Sequence, residues 1–152
     1  MGIRSMINGM VGLRDVYAHC DIPCGIYDPI TAKIAAQTVL KMSARIEALG
    51  SSEDINTYSR YVAVKEEHAQ SVKKELNILW SDWFKPEHLE KYPNLHELFW
   101  NANKLAGAIK QGVSSDSAKK LLETVDEIAE IFWATKGVEY SDPNADVRYG
   151  PA

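Results

Sequence analysis

An uninterrupted seam over residues 55–83 is the feature that most constrains the fold of this 152-residue chain. Its members recur at alternating steps of three and four residues, a spacing that keeps them on one face of a long helix. They are Ile55, Tyr58, Val62, Lys65, Ala69, Val72, Leu76, Leu79 and Trp83. A helix with one apolar face must bury it against other helices, so the sequence predicts a helical bundle. The charged member, Lys65, is expected to pack its stem while its ammonium reaches solvent or a carboxylate.

Three further amphipathic stretches bring the predicted helices to four, and start and stop signals delimit each one. Short connections between them favour an all-α fold, an antiparallel up-down four-helix bundle with an N-terminal metal-binding hook. Glu53 and Asp54 are placed in the first turn of the second helix, and residues 86–92 are interpreted as a turn. The predicted bounds are Asp28-Pro29 to Gly50, Ser51 or Ser52 to Lys85-Pro86, Pro93 to Gly112, and Ser114 or Ser115 to Lys136-Gly137.

Composition narrows the class of protein. With 45% hydrophobic and 25% charged residues, the chain is expected to form one domain. A net charge of -4 with both signs spread along the chain leaves no basic stripe for nucleic acid. No stretch approaches the roughly 18 apolar residues of a membrane helix, so no membrane is expected as a partner. Residues 1–18 lack the apolar centre of a secretory signal, which favours a cytoplasmic protein.

The segment His-Cys-Asp-Ile-Pro-Cys-Gly-Ile-Tyr-Asp-Pro, residues 19–29, lies outside the helical periodicity. It holds both cysteines of the chain, Cys20 and Cys24, directly after His19. Because a proline and a glycine flank the second cysteine, the segment can turn back and bring both sulfurs to one side. Taken alone, the cysteine pair also fits two buried thiols, a redox disulfide or half of a zinc site. No other histidine stands at customary zinc spacing, which disfavours structural zinc.

The position of His19 points to another metal. Residues 1–18 are interpreted as a leader that is removable after Ala18. If cleavage exposes the His19 amine, that amine and the amide nitrogen and thiolate of Cys20 form two fused chelate rings. The Cys24 thiolate then closes a planar square, a geometry that indicates Ni(II) or Cu(II) rather than zinc. Thiolates readily reduce Cu(II), so nickel fits better, and the His19 imidazole would be available as an axial ligand.

Residues 19–29 also resemble the nickel hook of the nickel superoxide dismutases. The resemblance covers essentially all of residues 19–137 and implies a homohexamer of four-helix bundles with one nickel ion per subunit. It implies disproportionation of superoxide to oxygen and hydrogen peroxide, after maturation by a dedicated peptidase. The matching segments are residues 64–67, 79–86, 90–93, 95–96 and 131–136, together with His88.

The resemblance implies roles for single residues around the metal. His19 would give nickel its amine and imidazole, Cys20 its amide nitrogen and thiolate, and Cys24 the second thiolate. The residues implied to surround these ligands lie in or near the same segment. Pro23 and Gly25 would shape the turn, Asp21 and Tyr27 would order the small-molecule pocket, with the Tyr27 hydroxyl gating access to the axial face, and Lys85 would guide the anionic substrate.

The chain departs from better-known members of that family at three positions. Where they carry a Glu on helix one and an Arg on helix two that hold the axial imidazole, this chain has Ala35 and His68. The tether of His19, to which His68 would contribute, is therefore expected to differ. Where they have a Tyr after Trp-Ser-Asp, this chain has Trp83.

These interpretations divide the chain into a leader over residues 1–18, a nickel-hook and four-helix-bundle domain over residues 19–137, and a polar C-terminal tail over residues 138–152. Two other classes of protein stay open. One is a nickel carrier or storage bundle that uses the same hook without turnover. The other is a structural helical bundle with an incidental cysteine pair, for which replacing Cys20 by Ser would change nothing.

Overall fold

A computed structural model of the protein describes residues 26–50 and 54–150. Over this part of the chain every regular element is helical, which confirms the all-α prediction. None of the described helices is both long and apolar enough to cross a membrane. The helices are α1 (Ile30–Leu49), α2 (Ile55–Ile78), α3 (Pro86–Lys91), α4 (Leu95–Gln111), α5 (Ser115–Thr135) and α6 (Ala145–Tyr149).

The four long helices, α1, α2, α4 and α5, close into a ring in which each packs against two others. The end of α1 lies beside the start of α2, where the Arg45 guanidinium sits 5.7 Å from the centre of the Tyr61 ring. The same end of α1 lies beside the start of α5, where Glu47 accepts a hydrogen bond from the Ser115 N–H at 2.8 Å. Adjacent helices therefore run in opposite directions, as expected of an up-down bundle.

Most of the predicted end signals act as expected. The Ser114 hydroxyl accepts an N–H of the first α5 turn at 3.1 Å. At α1 the N-cap is Pro29 rather than the predicted Asp28, and the Asp28 carboxylate, one residue earlier, accepts the N–H of Ile30 at 2.8 Å. Gly50 and Gly137 follow α1 and α5 with φ values of +61° and +73°. A side chain is strained in that left-handed region, so glycine suits both helix ends.

The start of α2 differs from the prediction. The Asp54 carboxylate accepts the Thr57 N–H at 3.0 Å and is the N-cap of the helix, so its placement within the first turn was wrong. An N-cap carboxylate satisfies an N–H that has no partner within the helix. The first residue of α2 is therefore Ile55, directly after Asp54. Within the seam, the middle residues are buried from Lys65 to Leu79, whereas Ile55 is 76% exposed.

The segment between α2 and α4 is more helical than predicted. α2 continues into a π-helical turn over Leu79–Trp83, and Pro86 then occupies the first position of α3, where a missing N–H costs little. Residues 86–91 are therefore a short helix rather than a turn, and the third long helix begins at Leu95 instead of Pro93.

Lys65, the charged member of the seam, is buried, with 2% of its surface exposed. Its ammonium donates hydrogen bonds to the carbonyls of Ile109 and Gly112, the latter at 2.7 Å, and lies 3.1 Å from the Glu66 carboxylate. The last carbonyls of a helix lack partners within that helix and carry its negative dipole end. Lys65 therefore caps α4 from the neighbouring helix, and the predicted carboxylate partner is Glu66.

We expect Lys65→Met to destabilise the bundle by about 1–3 kcal/mol, because the methionine fills the same space but leaves the buried Ile109 carbonyl without this donor. Urea unfolding followed by circular dichroism measures the change. Lys74→Met on the exposed face of α2 is the matched control and should cost less than about 0.5 kcal/mol. Equal stability of the two variants would contradict the capping role.

Residues 138–150, predicted only to be polar, fold back along α1. The Gln37 side chain donates to the Ala145 carbonyl at 3.1 Å, and the Lys41 ammonium donates to the Tyr149 carbonyl at 2.7 Å. Arg148 donates to the Gln37 side-chain oxygen at 3.0 Å. Because positions 37 and 41 are one helical turn apart, α6 contacts a single face of α1.

A buried charge network joins this segment to the bundle. The Lys33 ammonium lies 2.7 Å from the Asp126 carboxylate and 3.2 Å from that of Asp142, and donates to the Tyr140 hydroxyl at 3.0 Å. Arg148 donates to both Asp142 oxygens, at 2.7 and 2.9 Å. The Lys33 and Asp142 side chains are only 6% and 8% exposed. Two cations thus balance two carboxylates, as buried charges require.

The surroundings shift the pKa of Lys33, Asp142 and Tyr140 in this network. Burial alone would lower the pKa of Lys33, but its hydrogen bonds to Asp126 and Tyr140 raise that pKa above its ordinary value. The Arg148 hydrogen bond, with help from Lys33, lowers the pKa of Asp142 to about 2. Burial raises the pKa of the Tyr140 hydroxyl. Lys33 and Asp142 are therefore both charged near neutral pH.

Because the pKa of Asp142 is lower in the folded chain than in the unfolded chain, its ionised form stabilises the fold above about pH 4, and this contribution disappears as pH falls towards 2. We expect the difference in unfolding free energy between wild type and Asp142→Asn to shrink over that interval in urea titrations. Asp146→Asn, at an exposed carboxylate of α6, is the control. A difference that stays constant down to pH 2 would contradict the assignment.

Candidate metal centre

The described chain begins at the residues that follow the cysteine-containing segment. Ile26 is exposed, whereas Tyr27 is 8% exposed and belongs to the core. Its ring lies 5.6 Å from the Trp83 ring, centre to centre, at an angle of 50°. Asp28 and Pro29 then start α1. The point at which the segment joins the bundle is therefore fixed by aromatic packing and by the start of a helix.

Trp83 lies at the end of the π-helical turn and connects the end of α2 to the end of α5. Its indole N–H donates to the Thr135 hydroxyl at 3.0 Å, and its ring centre is 5.0 Å from that of Phe132. A π turn shifts the register of the side chains that follow it. With this register, the Trp83 indole at the end of the π turn lies between Tyr27 and α5.

Lys136 adds a positive charge to the same corner. Its ammonium lies 4.7 Å from the centre of the Trp83 ring, 4.9 Å from Phe132 and 5.3 Å from Trp133, within cation–π range. It also donates to the Tyr27 carbonyl at 3.5 Å. In the sequence, Lys136 is recognisable only as part of a helix-end signal. The adjacent pair Phe132-Trp133 was the available hint of an aromatic site for a cation.

Lys85, predicted to guide the substrate, is exposed at the N-cap of α3, two residues beyond Trp83. Its backbone N–H donates to Nδ1 of His88 at 3.1 Å, which orders the turn into α3. Lys85 is therefore an exposed cation only two residues from Trp83 in the sequence.

The two positions predicted to alter the tether of His19 lie on different helices. Ala35 is buried on α1, and His68 is half-buried on α2. The His68 Nδ1 lies 2.9 Å from the Val64 carbonyl of its own helix. A carbonyl only accepts, so Nδ1 carries the proton of a neutral His68 and Nε2 is the nitrogen left for another partner.

The predicted ligands and hook residues, His19, Cys20, Asp21, Pro23, Cys24 and Gly25, lie outside the described residues. Within residues 26–50 and 54–150, no group of three or more His, Cys, Asp or Glu side chains could hold a metal ion. The donor chemistry of residues 19–24 suits nickel, because thiolate and nitrogen donors in a planar set favour it over oxygen-seeking ions. The buried Tyr27 provides this segment with a fixed attachment.

The family comparison agrees with this assignment. The family model described as "Nickel-containing superoxide dismutase" matches residues 14–136, which include both cysteines and the four long helices. Two curated relatives, each named "Superoxide dismutase [Ni]", come from Streptomyces seoulensis and Streptomyces coelicolor. Each is 40% identical over 121 residues, which are 80% of this chain and 90% of the relative.

Solved structures give the same result. A crystal structure of Ni-containing superoxide dismutase, with nickel ligation corresponding to the oxidized state, aligns with a TM-score of 0.71 at 39% identity, over 79% of this chain and all of that one. A native nickel superoxide dismutase structure aligns with a TM-score of 0.70 at 39% identity, over 78% of this chain and 99% of its own. With the family model matched over most of the chain, this chain belongs to the nickel-containing superoxide dismutase family.

Proposed function

We propose that residues 19–24 hold the nickel ion of this enzyme after a cut before His19 has exposed the amine of that residue. The protein is a superoxide dismutase, an oxidoreductase that uses nickel and converts superoxide to oxygen and hydrogen peroxide. The observation that carries the residue-level proposal is that the family match begins at residue 14 and so includes His19, Cys20 and Cys24.

In this proposal the amine and imidazole of His19, the amide nitrogen and thiolate of Cys20, and the Cys24 thiolate would hold the nickel ion. When bound, nickel supplies one-electron redox chemistry between its +2 and +3 states. The deprotonated amide and thiolates donate electron density, which favours the higher state. Both thiols must lose their protons to act as ligands, so metal loading is expected to weaken at acid pH.

The remaining predicted residues would shape and serve the pocket. Pro23 and Gly25 would turn the segment back on itself. Asp21 and the hydroxyl of Tyr27 would order small molecules beside the metal, and the burial of Tyr27 supports a fixed position for that hydroxyl. Two superoxide ions and two protons yield one O2 and one H2O2, so polar hydrogens held near the pocket serve the uptake of protons.

Surface charge would guide the anionic substrate. Lys85 is exposed beyond Trp83, and Lys136 places a second ammonium against the Trp83 ring. A local positive field raises the rate of encounter with a small anion even though the whole chain is negative. His68, at the position where better-known members carry an arginine, would take part in a tether of His19 that differs from theirs.

Maturation, assembly and location belong to the same proposal. Residues 1–18 would be removed by a dedicated peptidase, and the mature chains would form a homohexamer with one nickel ion per subunit. Both points rest on the resemblance to the family. A cytoplasmic location is supported by the polar and charged residues that interrupt residues 1–18.

The nickel carrier or storage bundle is the weaker alternative, because the matching relatives are named for the dismutase activity. The interpretation of the cysteine pair as incidental to a structural bundle has the same difficulty. Turnover distinguishes the enzyme from both alternatives.

We expect a protein that begins at His19 and is loaded anaerobically with Ni(II) to destroy superoxide catalytically in stopped-flow measurements. The full-length chain, treated identically, should be nearly inactive, because its His19 nitrogen is a peptide nitrogen and cannot bind as an amine. Stoichiometric nickel without catalysis in the trimmed protein would favour the carrier, and equal activity of both chains would refute the need for the cut.

Cys20→Ser and Cys24→Ser in the trimmed protein should each abolish activity while circular dichroism stays unchanged, because the described core between the helices is built by side chains of residues 27–132. His19→Gln should keep nickel in the reduced-state square and lose much of the rate. Stopped-flow decay and nickel content per subunit are the two measurements. Full speed in His19→Gln would disprove the axial imidazole.

A further inference from the structure

We propose that Lys33 and Asp142 are positioning residues for the metal centre. Through these two residues the C-terminal segment holds the start of α1, and the start of α1 in turn holds the residues that follow the nickel ligands. This segment, residues 138–150, is called the C-terminal clamp below. The inference rests on the proposed function, since it assumes that nickel is bound by residues 19–24.

The clamp is an addition to what the chain shares with its family. The family model matches up to residue 136, and the clamp begins two residues later. The cation at the end of that match, Lys136, already contacts the Tyr27 carbonyl. The clamp therefore starts at the corner where the metal-binding segment joins the bundle.

From there the clamp crosses the start of α1. Residues 138–142 form one wall of a cleft of about 280 Å³, and Asp28, Ile30 and Trp133 line the rest of it. Asp28 is the carboxylate that accepts the Ile30 N–H at the start of α1. The first half of the clamp is thus placed against the residues that connect the metal-binding segment to the helix.

Lys33 links the clamp to the backbone of that connection. Its N–H donates to the Pro29 carbonyl at 3.0 Å, in the first turn of α1. Its ammonium binds Asp126 of α5 on one side and Asp142 of the clamp on the other. Because the ammonium is held between two carboxylates, the Lys33 side chain restricts the helical turn from which it projects.

The bridge made by Lys33 depends on the negative charge that Asp142 of the clamp supplies. Without the Asp142 carboxylate, Lys33, whose side chain is only 6% exposed, would have Asp126 alone as a carboxylate partner, and Arg148 would lose its bridge to Asp142. An uncompensated buried charge is costly and draws in water or moves apart. The first turn of α1 would then loosen, and Tyr27 and the metal ligands would lose part of their fixed attachment.

The expected consequence is faster loss of nickel. Groups that orient metal ligands from outside the ligand set typically change metal affinity by about 10–100-fold. Because Lys33 acts through the backbone rather than by touching a ligand, we expect the low end of that range, about tenfold in the rate of nickel release.

The test uses four mature proteins that begin at His19: the wild type, a chain ending at Gly137, Asp142→Asn and the control Asp146→Asn. Asp146 lies on α6 and is exposed, so its variant makes the same change of charge outside the network. Hydrogen exchange of the backbone amides in residues 27–36 is measured on the nickel-free proteins. Transfer of bound nickel to EDTA is measured on the loaded proteins, and circular dichroism reports helix content.

We expect faster exchange at residues 27–36 and about tenfold faster nickel transfer in the shortened chain and in Asp142→Asn, with Asp146→Asn behaving as wild type. Because Asp142 also stabilises the whole fold, amides elsewhere in the four long helices should speed up as well, but by a smaller factor. An acceleration at residues 27–36 no larger than that in the rest of the long helices is what a merely structural role gives, and it would overturn the proposal. So would wild-type rates in Asp142→Asn. A wild-type protein that takes up no nickel would instead overturn the proposed function, which is evident before any variant is compared.

Discussion

The packing of Tyr27 against Trp83 fixes the chain where it enters the bundle, directly after the residues that we propose bind nickel. Residues 19–24, the proposed metal-binding segment, would need a rigid support outside themselves. The support comes from three helices at once: the start of α1, the π-helical end of α2, and the end of α5 with its Lys136. The remainder of the bundle keeps these three ends together by burying the apolar faces of the helices.

Much of this architecture could be predicted from the sequence, because helix periodicity and end signals act locally. The hydrogen bonds accepted by Asp28 and Ser114 and the helix ends at Gly50 and Gly137 each depend on a few adjacent residues. The π-helical turn could not be predicted in this way. Its residues carry an ordinary helical pattern, and the extra residue per turn becomes visible only in the hydrogen bonds.

A site formed by adjacent residues can be proposed from the sequence, whereas contacts between residues that are distant in the sequence cannot. The proposed ligands His19, Cys20 and Cys24 stand within six positions of one another, so a donor set could be proposed directly. Lys136 lies more than a hundred residues from Tyr27, and only the fold brings them together. The same holds for Lys33 and Lys65, whose partners come from other elements of the chain.

The π-helical turn of residues 79–83 has a consequence for how the length of the chain can vary at this point. A π turn holds one residue more than the α-helical turn it replaces, and each residue of an α-helix advances the chain by about 100° around the axis. Loss of one residue within 79–82 would restore a regular helix, and the remaining residues would complete the same turn with one residue fewer. The Trp83 indole would therefore keep its direction towards Tyr27, and the long helices before and after it would keep their own apolar faces. A single-codon insertion or deletion at this turn can thus be absorbed without separating the end of α2 from the aromatic ring that precedes α1.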